Sequence, residues 1–138
     1  AGTLVDTMTW RGLGEHLTIE NTSETETQFF RVMTFFPFAK VCLDIGHALK
    51  ESPWGTLFHK LFDQWPRDLA EVHLSVCDSL GRHHPLHEMG VTGELLACLE
   101  RIPDGVPIIL EGECAWTREK IETEISLVKT LLGSRKTI

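Results

Sequence analysis

Four short apolar runs punctuate the chain, and between them the apolar positions change from close succession to helical spacing. Leu17-Thr18-Ile19 stops at Glu20-Asn21-Thr22, Val41-Cys42-Leu43 stops at Asp44, and Pro107-Ile108-Ile109-Leu110 stops at Glu111. The remaining run, Glu71-Val72-His73-Leu74-Ser75, opens into a long stretch without periodicity. Runs of this length, rich in branched residues and bounded by turn formers, predict strands near 17–20, 41–44, 71–75 and 107–111. The run 41–44 is apolar enough to be covered on both faces.

The intervening segments carry helix signals. Leu4, Val5, Met8 and Leu13 have near-helical spacing over 3–16, closed by Gly12 and Gly14. Ser23 followed by Glu26 forms a capping box for a helix bearing Phe29, Phe30, Val32, Met33 and Phe36, which Pro37 ends. A loop with Gly46, Pro53 and Gly55 leads to an amphipathic helix of Leu57, Phe58, Leu61, Phe62 and Trp65, stopped by Pro66. The stretch 76–91, with Gly81, Pro85 and Gly90, reads as irregular. Thr92 then caps a helix with Leu95, Leu96 and Leu99 that ends by Pro103 and Gly105. Thr117 caps the last helix, which carries Ile121, Ile125, Leu127, Val128, Leu131 and Leu132 up to Gly133.

Strand and helix therefore alternate four times, which predicts an α/β fold of four consecutive βα units in one domain, 1–138. Helical crossovers allow parallel strands, and a parallel sheet needs both faces covered. An open doubly wound sheet and part of a (β/α)₈ barrel both fit this order.

Charge and composition narrow the partners. The 138 residues carry a formal net charge of −7 and no basic block, Arg135-Lys136 reading as a solvated tail. Tight binding to long nucleic acid relies on many Lys/Arg–phosphate contacts, so a small ligand is favoured. No apolar run has membrane-spanning length and no signal-peptide pattern opens the chain. Cys42, Cys77, Cys98 and Cys114 form no C-x-x-C pair and read as reduced, mostly buried thiols of a cytoplasmic protein. The chain begins at Ala1-Gly2-Thr3 without Met, as a fragment of something longer would.

The strand ends carry the candidate chemistry. Parallel strands put their C-terminal ends on one rim, so Glu20, Asp44, His73 and Glu111 are expected to converge. Three carboxylates and an imidazole suit Mn²⁺, Mg²⁺, Fe²⁺ or Zn²⁺. His47, three residues after Asp44, faces the same way if the chain turns helically there and could share a metal or a substrate oxygen. His83, His84 and His87, beside Asp78 and Arg82, form an imidazole-rich loop that could add ligands or close over a substrate. His16 and His59 lack such a setting. The sequence contains no G-x-S-x-G, P-loop or G-x-G-x-x-G. Cys77 with a loop histidine is a possible nucleophilic pair that nothing in the sequence orients.

In this order the residues resemble the xylose isomerase-like TIM barrels, the superfamily of endonuclease IV and of sugar isomerases and epimerases. Ile19-Glu20-Asn21-Thr22 resembles the fifth strand of that barrel, and Val41 to Ala48, with its D-x-x-H, the sixth. Val72-His73-Leu74 with Asp78, Gly81 and Arg82 resembles the seventh, and Leu110-Glu111 the eighth. The resemblance implies the C-terminal half of a (β/α)₈ barrel. It also implies a metal site of Glu20, Asp44, His73 and Glu111, with His47 as a further ligand or substrate contact. An N-terminal half-barrel from another polypeptide, or self-association, would then complete the fold. Endonuclease IV-like members carry a D-x-H after the seventh strand, where this chain has Arg82-His83-His84. That departure, with the acidic charge, argues against a trinuclear zinc site and repair of abasic DNA.

What the resemblance implies for activity divides in two. A metal-dependent hydrolase would cleave a phosphoester of a small sugar-containing substrate, with Zn²⁺ or Mn²⁺ the leading cofactors and Mg²⁺ or Fe²⁺ also suited. A sugar or sugar-phosphate isomerase or epimerase would use Glu20 and Glu111 to exchange a proton at carbon. In either, Glu20 and Glu111 are the catalytic carboxylates, and Arg82, His84 and Asn21 are the expected substrate contacts. The hydrolase is the leading reading; a half-barrel that has lost activity and serves as an interaction module is a third.

Overall fold

A computed structural model of the chain describes residues 16–22, 26–51, 59, 60, 63 and 69–133. The apolar positions expected to form a helix over 3–16, Ser23 of the capping box, most of the 57–65 helix with Pro66, and Arg135-Lys136 lie outside these residues.

The elements follow in the order β1 (Thr18–Glu20), α1 (Glu26–Phe35), β2 (Lys40–Asp44), α2 (Ile45–Glu51), β3 (Leu69–Leu74), β4 (Val76–Cys77), β5 (His83–His84), α3 (Leu86–Met89), α4 (Gly93–Arg101), β6 (Ile108–Leu110) and α5 (Arg118–Gly133). Strands β1, β2, β3 and β6 form one sheet in that order, and all three pairings are parallel. The chain is thus α/β, with a four-stranded parallel sheet interleaved with helices among the described residues. No described helix is long and apolar enough to cross a membrane.

The sheet has two unlike faces, because successive side chains of a strand point to opposite sides. Val41, Leu43, Val72 and Leu74 lie on one face and are almost fully buried. They pack with Phe29 and Met33 of α1, Ala48 of α2, Leu95, Cys98 and Leu99 of α4, and Val128 of α5. The other face carries Cys42, Asp44, Glu71 and His73, with Glu20 and Glu111 at its two ends.

Local capping accounts for several boundaries. Thr92 Oγ1 accepts the Leu95 amide at 3.2 Å and Thr117 Oγ1 the Lys120 amide at 3.3 Å, so both threonines cap as expected. The helix after β2 differs from the expected loop: it begins at Ile45 with no intervening residues. Asp44 is the cause, since its Oδ1 accepts the His47 amide at 2.8 Å and satisfies the first turn directly.

The stretch 76–91, expected to be irregular, contains a small antiparallel hairpin, with Val76 opposite His84 and Cys77 opposite His83. Its turn closes through Gly81 N–H to the Asp78 carbonyl at 2.9 Å, with Gly81 at φ +79°. Asp78 Oδ1 also accepts the amides of Leu80 and Arg82. The apolar stripes of three helices are likewise displaced from the simple periodic reading. Val32, Leu96, Ile121 and Ile125 are between 38 and 43% exposed, whereas Glu124 is 1% exposed.

Candidate metal centre

Four side chains meet at the C-terminal rim of the sheet because each strand brings one there in register. Asp44 of β2 pairs with His73 of β3, Glu20 ends β1, and Glu111 follows β6. One ligand atom from each of Glu20, Asp44, His73 and Glu111 lies within 4.8 Å of all the others. His73 Nδ1 stands 2.8 Å from Glu20 Oε1 and 3.1 Å from Glu111 Oε2.

The group has a buried floor and an open top. The Asp44 side chain is 0% exposed, His73 17%, Glu20 36% and Glu111 43%. Asp44 is also the most firmly held. Asn21 Nδ2 donates to its carbonyl at 2.8 Å and Asn21 Oδ1 accepts its amide at 2.9 Å, while one carboxylate oxygen caps α2. Burial pushes the Asp44 carboxyl above its ordinary range, against the opposing hydrogen bond from the His47 amide.

Asp44 Oδ2, His73 Nδ1 and Glu111 Oε2 are buried, and none has a hydrogen-bond partner. His73 Nδ1 is close enough to two carboxylates for ion pairing, yet neither approach has hydrogen-bond geometry. Buried polar atoms are ordinarily paired, and three carboxylates in one small volume repel one another. Convergent lone pairs, an excess of negative charge and an O₃N donor set are together what a divalent cation offsets. The residues present fit such an ion.

A second donor group adjoins the first. His47, Cys77 and His83 also place one ligand atom each within 4.8 Å of one another. His47 Nε2 and His83 Nε2 are 3.0 Å apart, their rings nearly perpendicular at 74°. His83 Nδ1 turns the other way, 3.0 Å from Ser75 Oγ, 3.5 Å from Glu111 Oε2 and 3.7 Å from Asp44 Oδ2. One imidazole therefore borders both groups. His47 is brought into this second group, not into the quartet with which it was expected: the α2 turn that Asp44 caps carries its ring towards His83.

The expected substrate contacts have other partners. Asn21 is 1% exposed and commits both ends of its amide to the Asp44 backbone, so it is a clamp between strand ends. The Arg82 guanidinium is exposed but bonded to Asp78, at 2.8 Å through Nε and 2.7 Å through an η nitrogen. His84 Nε2 is 3.1 Å from the same carboxylate. The Arg82 amide and the His84 ring lead the contacts that hold the Asp78 carboxyl well below the usual range. Strand alternation separates the two histidines of β5: His83 faces the acids and His84 faces Asp78.

His83, Ser75 and Cys77 are parts of the site that the strand-end pattern does not single out. Their signal was the turn: Asp at its first position and Gly at its fourth are type I turn residues. That turn, between Val76-Cys77 and His83-His84, would have predicted the hairpin and paired Cys77 with His83. Burial first, then the Asp44 charge, pushes the Cys77 thiol up to about 12. A protonated thiol is a poor nucleophile, so the Cys77–histidine pair is not poised for covalent catalysis at neutral pH.

No protein-family model, curated protein or solved structure matches the chain.

Proposed function

We propose that the chain is the C-terminal half of a (β/α)₈ barrel and forms part of a divalent-metal-dependent enzyme that hydrolyses a phosphoester of a small, sugar-containing substrate. The observation that carries this reading is the set of three buried, unpartnered atoms, Asp44 Oδ2, His73 Nδ1 and Glu111 Oε2, within one quartet of donors. The sheet order supports the barrel, since four parallel strands run in sequence without the reversal of a doubly wound sheet. Ligands at C-terminal strand ends are where barrel enzymes build their sites.

A divalent cation held by the quartet, Zn²⁺ or Mn²⁺ first and Mg²⁺ or Fe²⁺ next, supplies Lewis acidity and offsets charge on phosphoryl oxygens. The chain's own residues do the rest. Asp44, fixed by Asn21 and by its cap on α2, sets the floor. Glu20 and Glu111 stand at the solvent-facing rim, where a carboxylate can accept or return a proton. His83, held by Ser75, presents a second imidazole beside Glu111. The neighbouring His47–Cys77–His83 group offers a place for another cation, and two closely spaced cations suit phosphoryl transfer.

Isomerisation or epimerisation of a sugar is the alternative, favoured by one observation. Glu20 and Glu111 are the two most exposed members of the quartet and come from opposite edges of the sheet. Such a pair could exchange a proton at a carbon bound between them.

Completion by an N-terminal half-barrel or a second copy accords with the edges of β1 and β6, which no strand covers among the described residues. It also accords with Ile109, which is 42% exposed on the polar face. A small phosphorylated or sugar ligand, in preference to long nucleic acid, accords with the net charge of −7. The thiols accord with a cytoplasmic setting.

Metal analysis of the purified chain should find at least one divalent ion per molecule; a metal-free, folded protein would count for the interaction module instead. Release of phosphate or alcohol from small phosphodiesters, set against deuterium exchange into a ketose or aldose, separates the two reactions. Glu111→Gln should abolish either one, and full activity in that variant would remove the shared site.

A further inference from the structure

We infer that Glu124 is a positioning residue for the His47–Cys77–His83 donor group: from a helix that contributes no donor, its carboxylate fixes where the His83 imidazole stands. The inference rests on the metal-centre reading for its consequence, but its geometry is independent of any ion.

Glu124 lies at the middle of α5 and is 1% exposed. Its Oε1 accepts the Leu86 amide at 2.8 Å, and its Oε2 accepts the His87 amide at 2.9 Å and His87 Nδ1 at 2.7 Å. Those two amides open the short helix α3, whose first residues have no intrahelical acceptor. His83 is three residues upstream, across Pro85. A buried carboxylate is costly unless charge-assisted bonds compensate it, and both oxygens of this one are spent on a single short segment. An apolar residue would satisfy the buried stripe of α5, as Val128 does one turn later, but would leave both amides orphaned.

The remaining restraints on residues 83–87 come from nearby and converge on the same placement. The Glu113 amide donates to the His83 carbonyl at 2.7 Å. Pro85 packs so closely on Gly112 that a Cβ there would meet the Pro85 nitrogen at 2.8 Å. The hairpin pairs His83 with Cys77. Together these hold the segment at its start and middle, while Glu124 holds its end. Freed at that end, the segment would pivot about Pro85 and draw His83 off Ser75 and His47.

The test compares Glu124→Gln with Val128→Ala, a core truncation on the same helix that leaves the 85–87 backbone untouched. Two readouts are taken on the folded chain: the ring-proton cross-peak between His47 and His83 by NMR without metal, and Zn²⁺ affinity by titration. Glu124→Gln should lose the cross-peak and bind Zn²⁺ at the His47–Cys77–His83 group about tenfold to a hundredfold more weakly, as residues that orient ligands do. Val128→Ala should keep both at comparable loss of melting temperature. If the two variants behave alike, or Glu124→Gln keeps both readouts, Glu124 only stabilises the fold and the inference is overturned. Should Glu124→Gln fail to fold, Glu124→Asp, which keeps the charge but withdraws it by one methylene, is read in the same way. A wild-type chain that binds no Zn²⁺ would remove the metal-centre reading, and the cross-peak would still decide the role of Glu124.

Discussion

Asn21 holds Asp44 by both of its backbone polar groups, at 2.8 and 2.9 Å, so the amide side chain extends the β1–β2 ladder one step past the end of β1. This joins the two strand ends from which Glu20 and Asp44 project. Asn21→Ala should orphan the buried Asp44 amide and carbonyl and cost about 2 kcal/mol. Asn21→Asp should cost more, because a carboxylate oxygen would then face the Asp44 carbonyl. Denaturant midpoints at unchanged m-value measure both, and an Asn21→Asp variant as stable as wild type would contradict the clamp.

The quartet makes opposite predictions for the metal-free and metal-loaded protein. Without a cation the buried Asp44 charge is a liability, as its raised pKa indicates, so Asp44→Asn should raise the metal-free melting temperature. Added Zn²⁺ or Mn²⁺ at a hundred times its dissociation constant should stabilise the wild type by about 2.7 kcal/mol. For a chain of this size that shifts the midpoint by on the order of 10 °C. Asp44→Asn should lose this metal-dependent rise. Thermal melts of both proteins, with and without metal, supply the four values required.

Three thiols predict the alkaline limb of stability. Burial is the leading cause that pushes Cys42, Cys77 and Cys98 up to about 12 in the folded protein, against about 8.5 for an unfolded thiol. Between those values the unfolded chain has released protons that the folded one retains, so stability should fall as pH rises above about 8.5. The same protonation should make alkylation of these thiols slow in the folded protein near neutral pH and fast once it unfolds. Denaturation midpoints across the alkaline range test the first statement, and mass-resolved alkylation tests the second.

Gly46 permits the close approach of α2 to the hairpin. A Cβ there would meet Ser75 Oγ at 2.6 Å and Cys77 Sγ at 3.0 Å. Gly46→Ala should therefore cost about 1–3 kcal/mol through overpacking. Rotating Ser75 out of the way would relieve part of the clash at the expense of its contact with His83. Adding Ser75→Ala to Gly46→Ala should restore part of the lost melting temperature, and no recovery would place the clash elsewhere.

The sheet was legible because its signals are local. Each strand's apolar run is short and bounded, and the four terminal donors recur at equivalent positions, so their convergence needed only parallel strands. Features that hydrophobic periodicity does not encode were less legible. The helix at Ile45 begins without a loop because Asp44 caps it through the His47 amide. The β4–β5 strands are two residues each, too short to show a period, so only the Asp78–Gly81 turn chemistry announced them. Glu124 occupies an i, i+4 position with Val128 on a buried stripe, while Ile121 and Ile125 lie more exposed. An acid in that place signals a buried hydrogen-bond partner that hydrophobic periodicity cannot name.

The pairing of His83 with Cys77, fixed by the turn from Asp78 to Gly81, also acts as a selector of identity. Adjacent imidazoles on one strand differ only in which side they face, so a slip of one residue exchanges them. Removing one residue from that turn would bring His84 opposite Cys77, on the face of the acids, and carry His83 off that face. The length of a four-residue turn thus determines which imidazole faces the acids.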